Sequence, residues 1–166
     1  MRNDRLQWML ETYVRGTAEG SVVFMATVPI AEIATQLRIF LLCENRKVYL
    51  NTRSLKHLYD KKPAEEFDFI LDNLESIVRT PDLLFRNKKD KRGDFCLVKD
   101  IQERRYLVSV EIKHFGWEAN LQIVTAFRVR GGSYLKGYEL LWSRRDGEIH
   151  SSPRHHIDGQ HDTAPQ

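Results

Sequence analysis

Hydrophobic positions recur with two different periods along this chain, and the change of period divides it. The first part is helical. Leu6, Met9, Leu10, Tyr13 and Val14 stand three and four residues apart, which predicts a short amphipathic helix within 4–15. Phe67, Ile70, Leu71, Leu74, Ile77 and Val78 form a longer apolar stripe, with Asp68, Asp72, Asn73, Glu75 and Ser76 on the opposite side. Pro63 suits the start of that helix, Glu65 and Glu66 suit the positive end of its dipole, and Pro81 ends it. Between the two, "RSLKHLYDK" predicts a shorter helix, following a strand in "RKVYLN" (46–51). Nearer the N-terminus "SVVFMATV" (21–28) suggests a strand, and Pro29 is expected to open a short helix in "IAEIATQL".

Beyond Pro81 the period becomes two. Segments 93–101, 105–113, 121–129 and 138–143 are rich in β-branched and aromatic residues, with turns at "QER", "FGWEAN" and "RGGSYLKG". Short connections make consecutive strands antiparallel neighbours. The expected fold is therefore α+β, with N-terminal helices packed on one face of a four-stranded antiparallel meander sheet. Residues 1–45 would form an extension packed on a core domain of 46–150. Residues 151–166 are almost without apolar content and are expected to be a disordered tail. Its His155, His156 and His161 lack a recognisable zinc spacing.

Alternation sorts the strand residues into faces. Tyr106, Val108, Val110 and Ile112 make one row, and Leu107, Ser109, Glu111 and Lys113 the other. In the next strand Leu121, Ile123, Thr125, Phe127 and Val129 oppose Gln122, Val124, Ala126, Arg128 and Arg130. The open face would thus display Ser109, Glu111, Lys113, Gln122, Arg128 and Arg130. Two readings fit it: the ordinary polar exterior of a half-covered antiparallel sheet, or a surface for an RNA backbone.

Composition narrows the setting. The chain has 166 residues, 42% of them hydrophobic and 30% charged, and no apolar run approaches the roughly 20 residues that span a bilayer. "MRNDRLQWMLETYVRG" carries Asp4 and Glu11 and lacks the apolar run of a secretory signal. Cys43 and Cys96 lie far apart within apolar stretches, as core thiols of a cytoplasmic protein do. A net charge of +3 names no partner, but its distribution does more. From Arg86 to Arg145 there are fourteen Lys/Arg against seven Asp/Glu, densest in "RNKKDKRGD" and "WSRRDG". These are solvated loops, or a surface that attracts phosphate.

His57 is the candidate for chemistry. In a helix Arg53, His57 and Lys61 share a face, with Lys56 beside it. Neutral imidazole accepts a proton and its cation returns one, while Arg53 and Lys56 would balance charge developing on a phosphorane. That set suffices for metal-free RNA cleavage, in which a 2′-OH attacks its own phosphate. The same residues also describe a histidine that merely covers a basic helix.

The order of "KVYLN", "SLKHLYDK", a helix ending "IVRTPDLLF" and a strand "LQIVTAFRV" resembles a superfamily of small RNases. It groups barnase-like, EndoU-like, colicin-type and RelE-like nucleases, and the resemblance, over 46–145, is to its phage-associated branch among toxins and polyvalent proteins of mobile elements. It implies an α+β, metal-independent endoribonuclease without cofactor. Carried over by position, the histidine of "SLKH" is His57, the hydroxyl residue of "IVTAF" is Thr125, and Arg128 follows on that strand; the resemblance implies these three as the catalytic set, His57 moving protons and Thr125 with Arg128 positioning or stabilising the phosphate. Lys113, Arg130, Lys136 and Tyr138 join Arg53 and Lys56 as candidate RNA-binding residues. Alternation puts Thr125 on the apolar row, opposite Arg128, so it belongs to a strand end or bulge, or else to the core. Implied partners are RNA, tRNA included, and an acidic antitoxin or immunity protein. A non-catalytic nucleic-acid or protein-interaction module on the same fold is the alternative. A metal hydrolase ranks last, for want of ligand spacing.

Overall fold

The structure, a computed structural model, describes residues 2–145. The histidine-containing tail lies outside the described residues. Asn3 opens helix α1 (Asp4–Met9), its side-chain oxygen accepting the Arg5 and Leu6 N–H groups, and the chain continues through a wider π turn over Leu10–Val14. Strand β1 (Thr27–Glu32) leads through a 3-10 turn into the short helix α2 (Arg38–Leu41). Strand β2 (Lys47–Asn51) runs directly into helix α3 (Thr52–Lys61), followed by helix α4 (Ala64–Arg79). Strands β3 (Leu83–Arg86), β4 (Phe95–Ile101), β5 (Arg104–Phe115), β6 (Glu118–Val129) and β7 (Glu139–Ser143) complete the chain.

The expected four-stranded meander is overturned. These strands form one seven-stranded sheet, ordered β1-β2-β6-β5-β4-β3-β7, in which β2 and β6 are parallel and every other pair is antiparallel. The tight turns do make β4, β5 and β6 consecutive neighbours. β7, expected beside β6, pairs instead with β3 at the far edge, Leu83 against Ser143 and Arg86 against Glu139. Residues 130–138 carry the chain back across the sheet, where Leu135 and Tyr138 pack on Phe85, Cys96, Val98 and Leu107. That burial rewards the crossing. β3 itself is the four residues "LLFR", too short a run to register as a strand by alternation alone.

The N-terminal third also differs. Residues 21–26, expected as a strand, have no regular structure, and Val22 and Phe24 are exposed. Pro29 lies inside β1 rather than opening a helix. β1 is an edge strand and its register slips between Pro29 and Ala31, a setting that tolerates a missing N–H.

One face of the sheet takes the helices. All six residues of the α4 stripe are buried, together with Leu6, Met9 and Leu10 and the sheet residues Val108, Val110, Leu121 and Ile123. Among the described residues the other face carries the smaller cluster under residues 130–138. Cys43 and Cys96 are free and buried; burial raises both thiols, Cys96 to about 12. Among the described residues no helix is long and apolar enough to cross a membrane.

Candidate nucleic-acid interface

α3 begins where β2 ends because Asn51 caps it, accepting the Ser54 N–H at 2.8 Å. Thr52, fully buried, ties the helix start to the preceding segment: it donates to the Phe24 carbonyl at 2.5 Å and accepts from the Ala26 N–H at 3.1 Å. Leu55 and Leu58 enter the core. With these directions taken, Arg53, His57 and Lys61 form an exposed stripe, as their spacing predicts. Arg53 and His57 have no hydrogen bond or ion pair among the described residues. Lys61 stands 3.5 Å from Glu19, both side chains being exposed.

Lys56 departs from the expectation of a phosphate ligand. It is 5% exposed, donates to Asp60 at 2.5 Å and to the Ala18 carbonyl at 2.8 Å, and lies 5.7 Å from the Tyr59 ring centre. Asp60 in turn accepts the Gly20 N–H at 3.0 Å. Burial would raise the Asp60 carboxyl, but the Lys56 and Gly20 hydrogen bonds and the charges of Lys56 and Lys61 outweigh it and hold the group below its ordinary value. Lys56 is thus committed to docking the 18–20 loop on α3.

Alternation already sets Thr125 and Arg128 on opposite faces, but the structure reverses which face each one takes. Ser109 pairs with Thr125, but Val110 pairs with Ile123, so Val124 is an extra residue in β6. The bulge shifts the alternation. Leu121 and Ile123 face the helices before it and Ala126 after it, whereas Phe127 joins the cluster on the opposite face. Thr125 is therefore not on the row of Leu121 and Ile123; it shares the outer face with its partner Ser109. Glu111 and Gln122, also paired, and Lys113 share that face, but Ser109 and Gln122 are buried there rather than displayed as expected, and Lys113 lies 3.2 Å from Glu111. The Asn51 amide reaches Gln122 at 3.5 Å, linking the start of α3 to this patch. Arg128, three residues after Thr125, lies on the helix-facing side, where its backbone N–H donates to Glu66 at 3.5 Å. Arg130 is held 2.7 Å from the same carboxylate. Thr125 and Arg128 do not converge.

The outer face is bordered by two basic loops. The one carrying Lys88, Lys89, Lys91 and Arg92 is pinned by Asn87, whose amide donates to the Arg92 and Gly93 carbonyls at 2.9 and 3.1 Å. The Ser109 hydroxyl donates to the Arg92 carbonyl at 2.8 Å. Gly93 is required there: its φ is +97°, and a Cβ would lie 2.1 Å from the Ser109 oxygen. The other loop carries Lys136, exposed, and Tyr138, over whose ring Lys88 lies at 4.8 Å. Burial and the adjoining Tyr134 raise the Tyr138 hydroxyl well above its ordinary value.

Residue-by-residue reading missed Tyr134 and the groove beside it. Phe127 and Tyr134 meet edge to face at 5.4 Å, and Lys62 stands 5.5 Å from the Phe127 ring. The alternation of aromatic and cationic residues in "FRVRGGSYLKGY" was the available signal. Among the described residues no group of three or more His, Cys, Asp or Glu is placed to hold a metal ion. A scan of protein-family models, a search of curated proteins and a search of solved structures each gave no match to this chain.

Proposed function

We propose that this protein is a metal-independent endoribonuclease that holds RNA along the basic margin of α3 and β6. The observation that carries the reading is the exposed Arg53–His57–Lys61 stripe, in which Arg53 and His57 have no partner among the described residues and so no evident task in the fold. α3 packs against β6, the strand that bears Thr125 on its open face. In the reaction His57 takes the proton of a 2′-OH as that oxygen bonds to the adjacent phosphorus. The bond to the 5′-oxygen breaks, the protonated His57 returns its proton to the leaving oxygen, and the products are a 2′,3′-cyclic phosphate and a 5′-hydroxyl. Arg53 offsets charge on the phosphorane, and Lys113 and Thr125 position the strand. Lys56 is not part of this set, and Arg128 binds RNA outside the reacting centre.

A second reading is a binding module without catalysis. It is favoured by the capture of Lys56 by Asp60 and by the placement of Thr125 and Arg128 on opposite faces. Incubation of labelled total RNA in EDTA with wild type and His57→Ala separates the two. Cyclic-phosphate ends from wild type alone support the nuclease. RNA bound but uncut by both proteins supports the binding module.

A further inference from the structure

We propose that the groove between the α3–α4 turn and the 130–138 loop is a base-stacking subsite for single-stranded RNA, with Tyr134 as its platform; this rests on the nuclease reading above only for the neighbouring chemistry. The groove encloses about 380 Å³ and is lined by Lys61, Lys62, Arg128, Arg130, Glu66 and the rings of Phe127 and Tyr134 among others. Its aromatic floor is built rather than incidental. Tyr134 packs edge to face on Phe127 at 5.4 Å and stacks on Tyr138 at 6.0 Å, yet remains 38% exposed. Lys62 and Lys88, from two other segments, lie over the Phe127 and Tyr138 rings. A ring supported from behind and open in front offers a nucleobase a surface at little cost in ordering.

The charge fits a polyanion. Glu66 is the carboxylate of the lining, and its oxygens already serve Arg130 at 2.7 Å, Lys62 at 4.0 Å and the Arg128 N–H at 3.5 Å. The Arg128 guanidinium has no ion-pair partner among the described residues. An acidic peptide would satisfy the cations but leave the exposed ring without use; a nucleotide satisfies both. Lys61 links the groove to His57, being four residues and so about 6 Å further along α3. A single strand whose backbone follows that stripe carries its next base to Tyr134.

The test is binding of a short fluorescein-labelled single-stranded RNA in EDTA to the full chain and to Tyr134→Ala and Tyr134→Phe, with melting curves confirming that each is folded. Tyr134→Ala is expected to weaken binding about tenfold, and Tyr134→Phe to stay within about twofold of wild type. Heparin, a polyanion without bases, should bind all three proteins alike. In wild type, iodouridine-substituted RNA should crosslink to the peptide that contains Tyr134, a readout that needs no variant. Unchanged RNA binding by Tyr134→Ala, an equal loss toward heparin, or crosslinks only elsewhere would overturn the subsite. RNA cleaved normally without a stacking effect removes the subsite and leaves the nuclease; a stacking effect without cleavage does the reverse.

Discussion

On one flank of α3, Lys56 is buried against Asp60 and a loop carbonyl; on the other, Arg53, His57 and Lys61 stand in water. The two flanks are built from the same kinds of residue a few positions apart. Burying an ammonium group costs several kcal/mol unless a carboxylate and further hydrogen bonds offset it, and Lys56 has both. Its charge is committed to holding the 18–20 loop. The exposed stripe holds little: beyond the weak approach of Lys61 to Glu19, it could be neutralised with little effect on the fold. A cationic helix face that contributes so little to stability is where binding to an anion is best sought.

The contrast is most exposed to failure at Lys56. Lys56→Ala strands the Asp60 carboxylate and should cost about 3 kcal/mol in urea unfolding. A loss below about 0.5 kcal/mol would place both flanks in the same class and remove the contrast. His57→Ala should do the opposite, lowering RNA cleavage by about 100-fold or more while leaving unfolding free energy within about 0.5 kcal/mol of wild type. If instead it destabilises the protein, His57 has a packing role that its exposure hides.

The pH dependence sharpens the same contrast. The Asp60 carboxyl lies below its ordinary value of 3.8, so its ion pair stabilises the folded state fully above that value and is lost as pH falls through the lower, folded one. The stability difference between wild type and Asp60→Asn should therefore be constant from about pH 7 to 5 and shrink below about pH 4. A difference that persists unchanged into acid would mean that the charge of Asp60 is not what holds Lys56. The smallest effect is expected at Arg128. Arg128→Ala should lower the salt dependence of single-stranded RNA binding by about 0.7 in log–log slope, the loss of one phosphate contact. An unchanged slope would take Arg128 out of the interface.

The parts legible in advance were those decided by local periodicity. The α4 stripe is buried at every position its spacing assigns, and the α3 stripe is exposed at each of its three. The tight turns of 93–129 gave the right neighbours for three strands. Pairing of the sheet edges was not legible, because a strand's pattern says which face is apolar but not which edge it joins. β7 and β3 meet because residues 130–138 gain burial by crossing the outer face. The side occupied by Thr125 turned on one extra residue, Val124, that no alternation rule announces. Lys56 looked like its neighbours in the chain until the 18–20 loop arrived to bury it.

What the sequence by itself determined, then, is the amphipathic helices of 4–14, 52–61 and 64–79, the three strands of 95–129, the α+β class and the concentration of cations toward the second half of the chain. These follow from side-chain period and composition, which act within a few residues. Tertiary structure alone decided the strand order, the face on which Thr125 stands, which cations are spent on ion pairs and which aromatic ring is left open beside them. Each of those depends on burial against residues far away in sequence, and burial is what sets the cost of a charge and the value of a ring.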